Sequence, residues 1–312
     1  MSRPPVALTI AGSDPSGGAG IQADLKTFSA LGAYGTTVIT ALTAQNTQGV
    51  SGVQVVPAEF VVQQLETLVA DVRLDTIKIG MLANAEIVNA VGKFLSRHPH
   101  EHVVLDPVMV ATSGDRLLGH DGDDAVRAMR DLMPLVSLIT PNLAEAAALL
   151  DTSQASTLAD MRVQAVALQE MGARRVLLKG GHLCAGPDAI DLLLHDPGET
   201  LLHGTGETVL RARRVDTVNT HGTGCTLSSA LAALRPQRDS WLDAALDAKS
   251  WLTAALEAAD SLQISRDPVQ ATAHHPGQGR ESDADENAGQ ASDQDQVRRH
   301  GPVHHFHAIW DR

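Results

Sequence analysis

Six short runs are dominated by apolar residues without a polar alternation: "VALTIAG" (6–12), "TTVITAL" (36–42), "TIKIGML" (76–82), "HVVLDPV" (102–108), "SLIT" (137–140) and "RVLLKGG" (175–181). A run of this kind and length is the pattern of a strand buried on both faces, whereas a half-exposed strand alternates. Between the runs the period changes. Val61, Leu65, Leu68, Val69 and Val72 recur at helical spacing, and so do Leu158, Met161, Ala165 and Leu168. Strands separated by helices predict a mostly parallel sheet covered on both sides. Residues 190–217 break the rhythm: "IDLLLHD", "ETLLHG" and "TVLRARRVD" predict short antiparallel strands joined by turns. A helix is expected from about Gly222 and a long one from about Ser240 to Leu262. The reading is one α/β domain over residues 1–265.

The pattern then stops. Residues 281–296 carry six acidic side chains, no basic ones and almost nothing apolar, which is too little to offset the entropy of ordering. Residues 266–299 are therefore expected to form a disordered acidic insertion, with an acidic interaction segment as the alternative. Apolar and aromatic residues return in "GPVHHFHAIW", so residues 300–312 are expected to dock back on the domain. His304, His305 and His307 raise a metal site, but no carboxylate or cysteine stands at matching spacing.

Composition narrows the function. With 312 residues, 43% of them hydrophobic, the chain can bury a sizeable core. The net charge of −13 leaves no basic stripe for nucleic acid. The N-terminal apolar run is too short for a signal peptide, and no stretch reaches membrane-spanning length. Cys184 and Cys225 form neither a disulfide framework nor a metal spacing, so a reduced, cytoplasmic protein is expected.

Candidate chemistry collects just past the strands, where open α/β sheets bind ligands. "AGSDPSGGAGIQADLKTF" leaves the first run through a glycine-rich turn that is neither a Walker A loop nor a dinucleotide fingerprint. A purely structural tight turn is as open as a ligand loop. In "VNTHGTGCTLSS", Gly222 and Gly224 let backbone amides converge at a helix start, which favours an anion, and Thr223, Thr226 and Ser228 leave room for one. A capped helix after a tight turn is the plain alternative. Asp106, Glu145 and Lys179 stand at the same edge; either acid alone fits a capping or surface role equally well. Taken together, two acids, a cation and an anion site suit phosphoryl transfer, in which positioning and charge neutralisation supply most of the catalysis.

In chain order, "AGSDPSGGAGIQADLKTF", "ALTAQNTQGV", "IKIGML", "VLDPVMVATSG", "TPNLAEA", "LLKGGH" and "NTHGTGCTLSSA" resemble the hydroxymethylpyrimidine/phosphomethylpyrimidine kinases of thiamine biosynthesis, in the ribokinase superfamily. The resemblance spans about 6–262 and resumes at "GPVHHFHAIW"; Ala144, often proline in the family, and the acidic stretch depart from it. It implies a three-layer α/β/α fold and two ATP-dependent steps. The first phosphorylates the hydroxymethyl group of 4-amino-5-hydroxymethyl-2-methylpyrimidine, and the second converts that monophosphate to the diphosphate. By motif, Gln45 would read the pyrimidine edge, and Gly12, Ala19, Met81 and Val108 would line its pocket. Asp106 and Glu145 would organise Mg²⁺, directly or through water, while Asn142, Lys179 and Thr220 would address the nucleotide. Gly222, Thr223, Gly224 and Cys225 would form the anion hole. A homodimer is implied as well.

Two expectations carry alternatives. Cys225 stands where sugar kinases of the superfamily place an aspartate base. A helix N-terminus can lower a thiol's pKa, so a thiolate base is expected, against a side chain that only fills space and orients the substrate. Gln45 is expected at the ligand edge of the sheet, against an amide that only caps the turn "QNTQG". A vitamin B6 kinase and a non-catalytic pyrimidine sensor are the alternative functions.

Overall fold

The computed structural model describes residues 3–109, 122–181, 183, 186–196, 206–264 and 301–310. The acidic stretch and "ETLLHG" lie outside them.

Five of the apolar runs become inner strands of an eight-stranded sheet, and the run 36–42 supplies a half-exposed strand at its edge. Its order is β10-β9-β8-β7-β6-β5-β1-β2, with β1 (Val6–Ala11), β2 (Tyr34–Ile39), β5 (Thr76–Ile79), β6 (Val103–Leu105), β7 (Leu138–Ile139) and β8 (Val176–Gly180) parallel. The predicted antiparallel pair is β9 (Asp188–Leu194) and β10 (Glu207–Arg213), in register from Asp188 opposite Arg213 to Leu194 opposite Glu207.

Successive strand residues point to opposite faces, and each face has its own core. Ala7, Val104, Leu138, Leu177 and Leu193 pack with α1 (Gly20–Ala30), α7 (Thr223–Leu234) and α8 (Trp241–Glu257). Leu8, Ile10, Ile79, Leu105 and Leu178 pack with α2 (Ala58–Val69), α3 (Ala85–Arg97), α4 (Gly122–Leu132), α5 (Leu143–Leu150) and α6 (Leu158–Glu170). Three layers result. From Thr226 to Leu234 every residue of α7 is buried, and its sequence there is alanine and leucine with three small hydroxyl residues and no charge. Within α2, Val61 and Leu65 face the core as expected, but the helix ends at Val69, ahead of Val72. The long helix stops at Glu257, and a 3₁₀ turn over Ala259–Ser261 follows it.

One expected strand is two. The run 36–42 breaks at Thr40, whose hydroxyl donates to the Met81 carbonyl at 2.6 Å. The chain then enters β3 (Ala41–Asn46), which pairs antiparallel with β4 (Gly49–Val55) in a separate two-stranded sheet. Over 41–44 the residues are alternately buried and exposed, the signature of a strand with one wet face. Asn46 closes the hairpin, its side chain accepting from the amides of Gln48 at 2.8 Å and Gly49 at 3.2 Å. The capping amide of this turn belongs to Asn46.

The sheet places the site. The chain moves outward from β1 to β2, then returns to the other side of β1 to form β5, so the strand order reverses between β1 and β5. Loops past the carboxyl ends of strands flanking such a reversal enclose a crevice.

Candidate active site

A cleft of about 940 Å³ opens over that reversal, and all fourteen candidate residues are placed within or beside it. At its centre is the first turn of α7. Gly222 has φ +78°, and a Cβ there would collide with the Gly18 carbonyl, so this glycine has a packing reason. Gly224 has a different one. A Cβ at that position would point to Lys179 Nζ at 3.3 Å and Asp106 Oδ2 at 3.8 Å, into the space above the charged groups. Thr226 N–H donates to Gly222 O at 2.8 Å and Thr223 N–H to Thr220 O at 3.2 Å. The amides of Gly224 and Cys225 have no acceptor among the described residues. Two free donors at a helix N-terminus form an anion site.

Charge surrounds it. Lys179, at the end of β8, donates to Asp106 Oδ1 at 2.8 Å and lies 3.9 Å from Glu145 Oε2. Asp106 is 1% exposed and also accepts from Thr140 Oγ1 at 3.1 Å and Ser228 Oγ at 3.2 Å. Burial opposes its charge, but Lys179 and Lys78 prevail and hold it below the ordinary carboxylate range. Glu145 goes the other way: burial pushes it up to about 7, with the Asp106 charge adding to the effect and Lys179 opposing it. Glu145 has a structural duty too. It forms a capping box on α5, accepting from Asn142 N at 2.7 Å while Asn142 Oδ1 accepts from Glu145 N at 2.9 Å. Asn142 is thus committed to the cap, and only its amide nitrogen is left for a nucleotide.

No group of three metal-binding side chains occurs among the described residues. Mg²⁺ characteristically takes one or two carboxylates and completes its shell with water and substrate phosphates. Asp106 and Glu145 beside an anion site fit that mode.

At the other end of the cleft, Gly12 and Met81 meet closely, a Cβ on Gly12 falling 2.5 Å from Met81 Cε. Ala19 is held by its N–H, which donates to Asp14 Oδ2 at 2.8 Å. Val108 follows Asp106 in a tight turn, its N–H donating to Asp106 O at 2.8 Å. Gln45 is on β3, at a bulge between Ala44 and Gln45, instead of at the edge of the main sheet; the hairpin carries it to the cleft from outside. Its Oε1 stands 3.2 Å from Thr43 Oγ1, whose one proton is also directed to Ser13 O at 2.8 Å.

A family model for phosphomethylpyrimidine kinase matches residues 14–270. The chain belongs to the phosphomethylpyrimidine kinase family. It is 51% identical over 304 residues to the hydroxymethylpyrimidine/phosphomethylpyrimidine kinase of Salmonella typhimurium, covering 97% of this chain and 98% of that one. The Escherichia coli enzyme of the same description is 50% identical over 305 residues, with 97% and 98% covered. Among solved structures, phosphomethylpyrimidine kinase from Clostridium difficile is 36% identical with a TM-score of 0.68, covering 81% of this chain and 99% of that one. An ADP complex of Bacillus subtilis pyridoxal kinase is also 36% identical, with a TM-score of 0.72 and coverages of 82% and 92%. The three-layer sheet is the ribokinase-like fold of this family.

The expected acidification of Cys225 is reversed. The Gly20 amide and the Lys78 ammonium favour the thiolate, but burial, with Asp24 and Asp106 nearby, pushes the thiol up to about 11. The helix N-terminus is a local effect, and the tertiary surroundings overrule it. Iodoacetamide should therefore modify Cys225 slowly at neutral pH, at a rate still rising at pH ~9. Peptide mass spectrometry reads this, and a rate that levels off near neutrality would mark a thiolate.

Sequence reading missed two buried ion pairs and a buried histidine–carboxylate hydrogen bond at this cleft. Lys78 Nζ donates to both oxygens of Asp24, at 2.9 and 2.8 Å, with both side chains fully buried. Asp24 also accepts from Thr9 and Ser229, each at 2.6 Å. His221 Nε2 meets Asp14 Oδ2 at 2.8 Å, and Lys249 donates to Asp191 at 2.6 Å. A lysine in the middle of the apolar run "TIKIGML" was the available signal, because a charge on a buried strand needs a partner.

Proposed function

We propose that the chain phosphorylates 4-amino-5-hydroxymethyl-2-methylpyrimidine with ATP and then phosphorylates the resulting monophosphate, two steps of thiamine biosynthesis. The observation that carries this reading is one cleft lined both by Gln45, Met81 and Val108 and by the turn that bears the free amides of Gly224 and Cys225. The pyrimidine takes the Gln45 end, with its hydroxymethyl group toward Cys225. The nucleotide then enters from the opposite side. Thr220 lines its path, and Ala212, Leu252 and Leu256 offer apolar surface to its base.

In the first step the hydroxymethyl oxygen attacks the γ-phosphorus, the bond to the bridging oxygen of ADP breaks, and the hydroxyl proton passes to an oxygen of the transferred phosphoryl group. Lys179 and the two amides hold the equatorial oxygens, where charge is spread in a loose transition state. Asp106 and Glu145 would hold Mg²⁺, which when bound neutralises phosphate charge. In the second step the nucleophile is a phosphate oxygen, which has no proton to lose. A protonated Cys225 suits both steps, since a fixed carboxylate there would repel the incoming monophosphate.

The last point is testable. Two like charges about 4 Å apart at an effective dielectric near 20 repel by about 4 kcal/mol, less where water enters. Cys225→Asp should therefore slow the second phosphorylation at least about tenfold more than the first. Separate rates for the two substrates read this ratio, and equal losses would sink the idea.

The function itself is tested by incubating the protein with ATP, Mg²⁺ and each ring alcohol and identifying the products. Mono- and diphosphate of the pyrimidine are expected. Turnover of pyridoxine alone would transfer the reading to a vitamin B6 kinase, and pyrimidine binding without turnover to a sensor. We further propose that residues 266–299 are a passenger. Excising 270–297 should leave kcat within about twofold, as loop length costs little. A homodimer is also proposed, with sedimentation as its measurement.

A further inference from the structure

Residues 301–310 return to the molecule at the anion-binding turn and attach on both sides of it. Upstream, Gly301 N–H donates to Asn219 Oδ1 at 2.8 Å, and His221 N–H donates to Gly301 O at 3.0 Å. Pro302 lies against Gly18, where an added Cβ would be 3.0 Å from the proline Cβ. Downstream, His305 Nε2 and Thr226 Oγ1 are hydrogen-bonded at 3.0 Å. Only Gly222, Thr223, Gly224 and Cys225 lie between His221 and Thr226.

The attachment is itself firmly seated. Val303 is fully buried in the core under α7 and α8, and His304 N–H donates to Ala255 O at 3.1 Å. Thr226 is fully buried and His305 is 4% exposed, so water cannot replace either partner. Burial and the nearby Lys26 push His305 down to about 3, so its ring is neutral at working pH and the bond does not depend on a charge. Three hydroxyls of α7 reach three different places: Thr226 to His305, Ser228 to Asp106, with its proton shared with the Gly224 and Cys225 carbonyls of the helix itself, and Ser229 to Asp24. The last two run to the catalytic cleft and to the buried ion pair. The first is the only one of the three that reaches the carboxy-terminal segment.

We propose that Gly301–His305 is a positioning element of the active site, with His305 acting through Thr226 to hold the Gly224 and Cys225 amides on the phosphoryl group. This rests on the phosphoryl-transfer reading above. A small misplacement of such donors costs rate far more than it costs ground-state binding of the pyrimidine, whose own contacts lie elsewhere in the cleft.

The test uses the full chain with Thr226→Val and His305→Phe, their conservative counterparts Thr226→Ser and His305→Gln, and the double variant Thr226→Val/His305→Phe. Each removing variant should lower kcat for the first phosphorylation at least about tenfold, with KM for the pyrimidine within about threefold. Amide hydrogen exchange at 223–226 should quicken in both. The conservative variants should regain most of the rate, since a glutamine amide reaches where Nε2 stood. The double variant should be no slower than the worse single one, because both remove one bond. Unchanged kcat and exchange in Thr226→Val and His305→Phe would overturn the proposal, as would a rise in KM matching the fall in kcat/KM. If His305→Phe does not fold, Thr226→Val decides alone. If the wild-type protein turns over no ring alcohol, the functional reading has failed, and exchange at 223–226 still decides the positioning.

Discussion

Asp106→Asn should lower kcat about a thousandfold while the pyrimidine alone still binds within a few-fold. The carboxylate is 1% exposed and accepts from Lys179, Thr140 and Ser228. Asparagine keeps the shape and loses the charge, and its amide nitrogen turns a donor toward one of three donors. Lys179 then has only Glu145, 3.9 Å away, as a charged partner among the described residues. On the proposed reading the centre loses one of its two acids, and the cation that would meet the phosphate is pulled off line. A single misplaced electrostatic group in such a site costs about 10²–10³ in rate, and here two are disturbed together. Stability falls as well, because breaking a buried pair from one side costs about 3–5 kcal/mol, less here because Lys179 keeps some solvent and a second acid. The folded-state pKa of Asp106 lies below its ordinary value, so its stabilising contribution is complete at neutral pH and is lost only as pH falls into the acid range. The variant lacks it at every pH. Steady-state kinetics well below the variant's Tm, with calorimetric titration of the pyrimidine, separates the two effects. An unchanged kcat removes Asp106 from the centre, and equal losses of rate and binding mean the pocket has collapsed.

What could be read from the chain was what is local. Strands such as "VALTIAG" announce themselves because both faces are dry, and the antiparallel edge at 188–213 because its period differs. The two glycines of "HGTGC" were legible as a turn before a helix, but not their different reasons, which are the Gly18 carbonyl for one and the Asp106–Lys179 pair for the other. The break at Thr40 was hidden because β2 and β3 abut with apolar residues on either side, and the hydroxyl contact that separates them goes to Met81 on another strand's end. Partners distant in sequence were out of reach: Lys78 and Asp24 are 54 residues apart, Thr226 and His305 79, and His221 and Asp14 207. The thiol of Cys225 illustrates the limit best. Its place at a helix start was visible, and the carboxylates that raise its pKa come from α1 and the end of β6.

Gln45→Met should reduce kcat/KM for the pyrimidine by roughly ten- to a thousandfold and change any activity on pyridoxine much less. An aminopyrimidine presents a ring-nitrogen acceptor beside an exocyclic amine donor, and a primary amide offers the matching donor and acceptor on one plane. The hairpin prepares that amide. Thr43, itself buried, directs its one hydroxyl proton chiefly to the Ser13 carbonyl at 2.8 Å and stands 3.2 Å from Gln45 Oε1, so the glutamine oxygen keeps lone-pair capacity for the exocyclic amine. The amide nitrogen has no protein acceptor among the described residues, so it is free to donate to the ring. Methionine keeps the bulk and removes both bonds, leaving polar edges of the ligand unsatisfied at about 1–3 kcal/mol each. Gln45 is only half-buried, and water reaching the rim of the cleft moves the expected loss toward the lower half of the range. A pyridoxine ring lacks the paired pattern, and a site built for paired bonds discriminates against a ligand that leaves them unmade. The comparison of kcat/KM for the two rings in wild type and variant is therefore the measurement. Equal losses on both rings would mean that Gln45 supports the β3–β4 hairpin, and that the pyrimidine edge is read by another residue of the cleft.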